Sequence, residues 1–400
     1  MDSGQVFQSK LIRNGDLNLA AKRSLLLRLI RAVQPITRTE IAERLRIDKS
    51  TVTENVKPLI DRGILREDLV ETAALGRRPR VLSFAADEDY FIGVNLGVRH
   101  SQIGVTKLSG QVSDEVEFDT PSKVEHAIQR VAEQIELIRK RHSSLRLRLV
   151  GVSIPGMSDA SRRELVYAPN LNWRGVSIAE QLEKVAEAAV VVENDSTAAA
   201  MFESRIKLRE SADASASNFI LVRSGTGIGV GMVIGGEVYR GTGAGRGMAG
   251  EFGHMTIVAG GKPCVCGNRG CWERYASAAS AASLYLGDRR LRPGESLPRF
   301  VEIVAKAKNG EIRSRRTLEQ IGDYLGIGIA NVMMGTGVPR VIISGRLVYG
   351  WSFIAGPLND AIQRSIIGNL EGWSVEPGSP SGSALGGALE VAVEEYLNIV

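Results

Sequence analysis

Ser224-Gly-Thr-Gly-Ile-Gly-Val-Gly231, followed by Met232-Val-Ile-Gly-Gly-Glu-Val-Tyr239, is the stretch whose reading decides the fold. The spacing of Gly225, Gly227 and Gly229 resembles a dinucleotide fingerprint, but that site needs a helix next, its N-terminal dipole aimed at pyrophosphate. The residues after Gly231 are strand-like instead, and Gly235-Gly236 is the two-residue turn of a β-hairpin. The unit is therefore a strand, a glycine turn and a hairpin. Its backbone can approach a phosphate without a side chain in the way.

Outward from that unit, strands are expected at 91–97, 147–154, 189–193, 218–224 and 340–344. Helical stretches near 124–140, 177–187 and 196–206 alternate with them, so the class is α/β. No sequence repeat of 20–50 residues is evident. A chain of 400 residues is more than one comfortable core, which predicts two to three domains. With 44% hydrophobic and 24% charged residues, a disordered or collagenous chain is excluded. No apolar run approaches the ~20 residues of a membrane span, and no signal-peptide core is seen, so a cytoplasmic protein is expected. Three cysteines cannot build a disulfide framework.

The net charge of +5 is unevenly placed. Residues 1–84 hold 16 Lys and Arg against 10 Asp and Glu, while the rest is close to neutral. That basic segment reads as a winged helix-turn-helix. Leu26, Leu29, Ile30 and Val33 mark an amphipathic helix that Pro35 ends. Thr37 and Glu40 form a capping box that starts a second helix, near 38–45. Asp48 caps a third, with Val52, Val56, Leu59 and Ile60 inward. Its other face is expected to offer Lys49, Ser50, Thr51, Thr53, Asn55 and Lys57 to base edges or phosphates. A β-ribbon comes next, with Arg77, Arg78 and Arg80 at its tip, suited to a narrow minor groove. Pro58 resists this reading: inside the third helix it should kink or shorten it. A small helical domain that binds protein is the plainer alternative.

His254, Cys264, Cys266 and Cys271 give H-x9-C-x-C-x4-C, with Gly267 and Gly270 permitting tight turns. Three thiolates and an imidazole are a closed tetrahedral zinc set, structural rather than hydrolytic because no position is open. Glu251 and Glu273 flank it. Upstream, Asp195 stands at a strand-to-helix turn, where an α/β fold places its ligands. Carboxylates and amides that each take sugar hydroxyls are what polyol recognition requires. An N-cap role for Asp195 and surface roles for the glutamates explain each of them as well when taken singly.

Glu251-Phe-Gly-His254, Cys264-Val-Cys-Gly-Asn-Arg-Gly-Cys-Trp-Glu273 and Tyr275-Ala-Ser resemble the signature of the ROK (repressor, open reading frame, kinase) family. The resemblance extends to Ala168–Trp173, Glu193-Asn-Asp195 and Ser224–Gly231. It implies a two-lobed, actin-like and sugar-kinase-like (ribonuclease H-like) body behind the winged helix-turn-helix. Residues 1–84 would bind DNA and 85–195 form the first lobe, with 381–400 packing back on it. Residues 196–380 would form the second lobe, with the zinc site. By the same resemblance Gly156, Asn170, Asn194, Asp195, Glu251, His254 and Glu273 would bind a sugar or sugar phosphate. His254 would hold zinc through one ring nitrogen and a sugar hydroxyl through the other.

One departure is expected to matter. Family kinases resemble Asp-x-Gly-Gly-Thr-Lys at the first phosphate motif, whereas this chain has Asn95-Leu-Gly-Val-Arg-His100. Asn95 lacks the charge that organises magnesium, and Val98 crowds the phosphate approach; phosphoryl transfer depends on both charge and positioning. The expectation is a sugar-responsive transcriptional repressor acting on operator DNA as a homodimer or homotetramer, with no membrane partner. The alternative is an ATP-dependent sugar kinase carrying a DNA-binding domain, whose general base would be Asp195.

Overall fold

The structure, a computed structural model, describes residues 19–69, 79–85, 88–210, 218–242, 247–291, 296–380 and 383–399. Arg77 and Arg78, the expected tip of the β-ribbon, lie outside the described residues.

Among the described residues the N-terminal part contains three helices, Leu19–Val33, Arg38–Leu45 and Lys49–Asp61. Thr37 accepts from the Glu40 backbone N–H, and the Glu40 carboxylate accepts from the Thr37 N–H at 2.7 Å, which fixes where the second helix starts. The third helix runs past Pro58 to Asp61, so the proline does not shorten it. Strands Leu65–Leu69 and Arg80–Phe84 pair antiparallel as the wing, and Ile36–Thr37 adds a third strand. Lys49, Ser50, Thr53 and Lys57 are exposed and Thr51 is half-buried. Asn55 corrects the expectation. It is buried, and its amide donates to the Thr51 carbonyl at 2.8 Å. The reason is helical spacing: 52, 55, 56 and 59 form one stripe, the inner one. Arg80 is exposed and reaches back to Glu67 at 3.2 Å.

Two five-stranded sheets come next, and they share a topology. In the first, Asp89–Leu96, His100–Thr106 and Val112–Asp119 form an antiparallel meander, with Arg146–Ile154 and Ala189–Asn194 parallel on the other side of Asp89–Leu96. In the second, Phe219–Ser224, Ile228–Ile234 and Glu237–Val238 form the meander, with Arg340–Gly345 and Ser374–Pro377 added in parallel. Gly235 and Gly236 make the expected turn, with φ of +63° and +78°. Helices Ile312–Thr336 and Trp351–Gln363 pack together behind the second sheet, and Val124–Arg141 and Ile178–Ala186 pack against the first.

Two helices lie between the sheets. Asp195–Glu210 begins in small residues, so the strand Ile228–Ile234 can approach it: a Cβ on Gly231 would stand 2.5 Å from the Ser196 carbonyl. Ser383–Ile399 crosses it and lies on the first sheet, where a Cβ on Gly151 would collide with the Ala388 carbonyl. The end of the chain is thereby built into the first lobe. Gly151→Ala should cost about 1–3 kcal/mol of stability through overpacking, read by urea denaturation. Unchanged stability would contradict this close approach.

Candidate functional site

The strands Asp89–Leu96, Arg146–Ile154, Ala189–Asn194, Phe219–Ser224 and Arg340–Gly345 all end at one cleft between the lobes. That is where a parallel α/β sheet leaves unpaired backbone groups for a ligand. Its volume of ≈ 440 Å³ falls within the about 300–1,000 Å³ typical of small-molecule sites. Gly156, Asn170, Asn194, Asp195, Glu251, His254 and Glu273, the residues expected at a sugar, all line it.

Their geometry separates roles that the sequence left merged. Asn194, not Asp195, caps the helix: its Oδ1 accepts from the backbone N–H of Ser196 at 2.8 Å and of Thr197 at 3.1 Å. Its amide donates to the Gly156 carbonyl at 3.0 Å, so Gly156 reaches the site through its backbone. Asp195 is left to face the cleft. There its Oδ2 meets a guanidinium nitrogen of Arg223 at 2.5 Å, and its Oδ1 accepts from the Ser196 hydroxyl at 3.2 Å.

Glu251 and His254 share one tight 3-10 turn, Glu251–His254. Burial pushes the Glu251 carboxyl above its ordinary range; His254 opposes that, and Asp195 and Glu273 add to it. His254 Nε2 lies 3.9 Å from Glu251, while Nδ1 faces away, 3.7 Å from Glu273 and 3.6 Å from the Cys264 sulfur. The imidazole thus looks both ways, to the cleft and to the cysteines. Glu273 is buried and takes the Cys264 thiol at 3.1 Å. It fits where Gly227 leaves space, since a Cβ there would collide with its Oε2.

His254, Cys264, Cys266 and Cys271 each offer a ligand atom, all within 4.8 Å of one another. Burial pushes the Cys264 and Cys271 thiols up. The four residues could hold a metal ion.

The other half of the cleft is lined by Asn95, Gly97–His100, Gly225–Gly227 and Arg346. Asn95 is buried and accepts from the Ser153 hydroxyl at 3.1 Å. Sequence reading missed Arg223 altogether. Its only signal is a cation near the end of an apolar strand, Phe-Ile-Leu-Val-Arg-Ser, directly before the glycine turn.

Asn194→Ala should lower the unfolding free energy by about 0.5–2 kcal/mol through loss of the cap, as measured in urea. A variant as stable as the parent would return the cap to Asp195.

Comparison with known proteins agrees in both parts of the chain. The profile of the MarR family matches residues 21–67, and that of the ROK family matches residues 91–392. The chain is 28% identical over 384 residues to a xylose repressor from Bacillus spizizenii, covering 94% of this chain and 96% of that protein. Its fold is similar to the crystal structure of a ROK family transcriptional regulator, a homologue of the E. coli MLC protein, with a TM-score of 0.74, 22% identity and 95% and 97% of the two chains covered. It is also similar to a ROK family glucokinase from Streptomyces griseus in complex with glucose and AMPPNP, with a TM-score of 0.63 at 26% identity. That likeness covers 76% of this chain and 99% of the kinase. A profile matched from the first sheet to the last helix is decisive: the chain belongs to the ROK family.

Proposed function

We propose that the protein is a sugar-responsive repressor of genes for carbohydrate uptake or catabolism, with the effector in the inter-lobe cleft and operator DNA on the helix Lys49–Asp61. One observation carries this reading. A basic winged helix with an exposed polar face is joined, on one chain, to a sugar-kinase-like body whose cleft gathers Asn170, Asp195, Glu251, His254 and Glu273. The xylose repressor aligns across both parts, whereas the glucokinase aligns with about three-quarters of the chain.

Each carboxylate accepts hydroxyl hydrogens, and a charged acceptor contributes about 1.5–3 kcal/mol per bond. Two features oppose phosphoryl transfer. Asn95 supplies no charge for magnesium and is spent on Ser153. Asp195, the position of the kinase general base, is held by Arg223 and Ser196. The kinase reading is favoured by the likeness to the glucokinase. Phosphate released from ATP in a panel of monosaccharides would restore it.

Zinc is the metal that fits the cysteines. Tetrahedral Zn–S and Zn–N bonds of about 2.3 and 2.0–2.1 Å imply ligand–ligand edges of about 3.6–3.8 Å. Cys266 and Cys271 stand 3.7 Å apart, and Cys264 and His254 3.6 Å. Zinc would cross-link the loop between Glu251 and Glu273 and so hold both carboxylates. Elemental analysis should find one equivalent per chain, and Cys266→Ser should lose it and weaken sugar binding. Full sugar binding by metal-free protein would end that role.

Operator symmetry favours a homodimer or a homotetramer, working in the cytoplasm where its DNA is. The exposed face of the third helix supplies Lys49, Ser50, Thr51, Thr53 and Lys57. Alanine at Lys49, Thr51 or Thr53 should weaken operator binding by about 1–3 kcal/mol for each base-edge hydrogen bond removed, in fluorescence anisotropy. Arg80 would add phosphate or minor-groove contacts, together with Arg77 and Arg78. Asp195→Asn should abolish the sugar response and leave operator binding intact. A variant that still answers the sugar at wild-type concentrations would displace Asp195 from the site.

A further inference from the structure

The helix Leu19–Val33 of the DNA-binding part is bound to the body by a ladder of polar contacts. It runs antiparallel to Ser383–Ile399, and three rungs join them. The Ser24 hydroxyl donates to Asn398 at 3.0 Å, Arg28 meets Glu394 at 3.4 Å, and Arg31 meets Glu390. The lower rungs are nearly dry: Arg31 and Glu390 expose 3% and 2% of their side chains, Arg28 and Glu394 11% and 10%. Glu390 also takes Arg205 at 2.7 Å, from the helix whose first residue is Asp195.

Arg28 differs from the other rungs. One of its terminal nitrogens holds Glu394, on the helix that lies on the first sheet; the other donates to the Gly236 carbonyl at 2.8 Å, in the hairpin turn of the second sheet. One guanidinium from the DNA-binding part thus grips both lobes. Any change in the angle between the lobes alters the separation of Glu394 from the Gly236 carbonyl. A planar fork of fixed width cannot follow both partners. It must release one, and the helix Leu19–Val33 then moves with the other.

We propose that Arg28 is the positioning residue through which lobe movement at the cleft reaches the DNA-binding helices, with the Glu394–Arg28–Gly236 clamp as the two-state element. This rests on the sugar-responsive reading given above. Because Arg28 is not among the residues that line the cleft, sugar binding itself does not need it. Its removal uncouples two sites that each remain competent.

The test uses the full chain, a fluorescein-labelled duplex of its own promoter DNA, and the monosaccharide that raises its melting temperature, with D-xylose tried first. Duplex affinity is measured with and without saturating sugar, and sugar affinity by calorimetry. The wild type should change its duplex affinity by about 5–150-fold on adding sugar, the usual span of such coupling. In Arg28→Met the change should fall below about threefold while the sugar dissociation constant stays within about threefold of wild type, since only the coupling of those sites is removed. Arg28→Lys, which keeps the charge and the fold but reaches one partner at a time, should give an intermediate change. If both variants keep the wild-type ratio, the clamp is wrong and the repressor reading stands. If the wild-type chain itself shows no change with any sugar, both fall.

Discussion

Glu390 is a carboxylate sealed inside the protein, and it stays ionised there because two arginines from two other helices meet it. Burial pushes its carboxyl up; Arg31 and Arg205 outweigh that and hold it below the ordinary range. One turn away, Glu394 lacks such support, and burial raises it despite Arg28. Breaking a buried pair by removing one partner is costly, about 3–5 kcal/mol, because the other charge is left stranded. The Glu390 junction therefore fixes where three helices stand: Leu19–Val33 of the DNA-binding part, Asp195–Glu210 that starts at the cleft, and Ser383–Ile399. A hydrophobic seam of equal area would bind them as well. It would not fix their register, since apolar contact is non-directional.

The cleft depends on that placement. Helix Asp195–Glu210 carries Asp195 at one end and Arg205 near the other, and at about 1.5 Å per residue it spans ~24 Å as a single rod. At its C-terminal end, Arg44 of the DNA-binding part donates to the Leu208 carbonyl at 3.2 Å, where a cation suits the helix dipole. At its N-terminal end, Asn194 accepts from the N–H groups of Ser196 and Thr197, and the Asp195 side chain faces the cleft. The same helix that presents a carboxylate to the cleft is thus held at its far end by the DNA-binding domain.

Local chemistry is legible in the sequence and distant pairing is not. The Thr37–Glu40 box, the Gly235-Gly236 turn and the His254–Cys271 cluster are written within spans short enough that spacing alone states the geometry. Asn55 is misjudged when polarity outvotes position; its place between Val52 and Val56 puts it on the inner stripe, where an amide can turn back to its own helix. The matching topology of the two sheets leaves no trace in the sequence, since it constrains strand order and not residue identity. The pairs Arg31–Glu390 and Arg28–Glu394 join positions more than 350 residues apart, and nothing local marks either end. Arg223 stays hidden for a related reason: only the fold brings its strand against the helix that opens with Asp195.

In the proposed function, cleft and operator are two faces of one equilibrium. Linkage then requires reciprocity: whatever factor sugar applies to operator affinity, operator must apply to sugar affinity. The direct measurement is the sugar dissociation constant of the full chain, taken free and again with saturating operator duplex. The expected result is two constants whose ratio equals the sugar-induced change in operator affinity. Equal constants in the two titrations would contradict it.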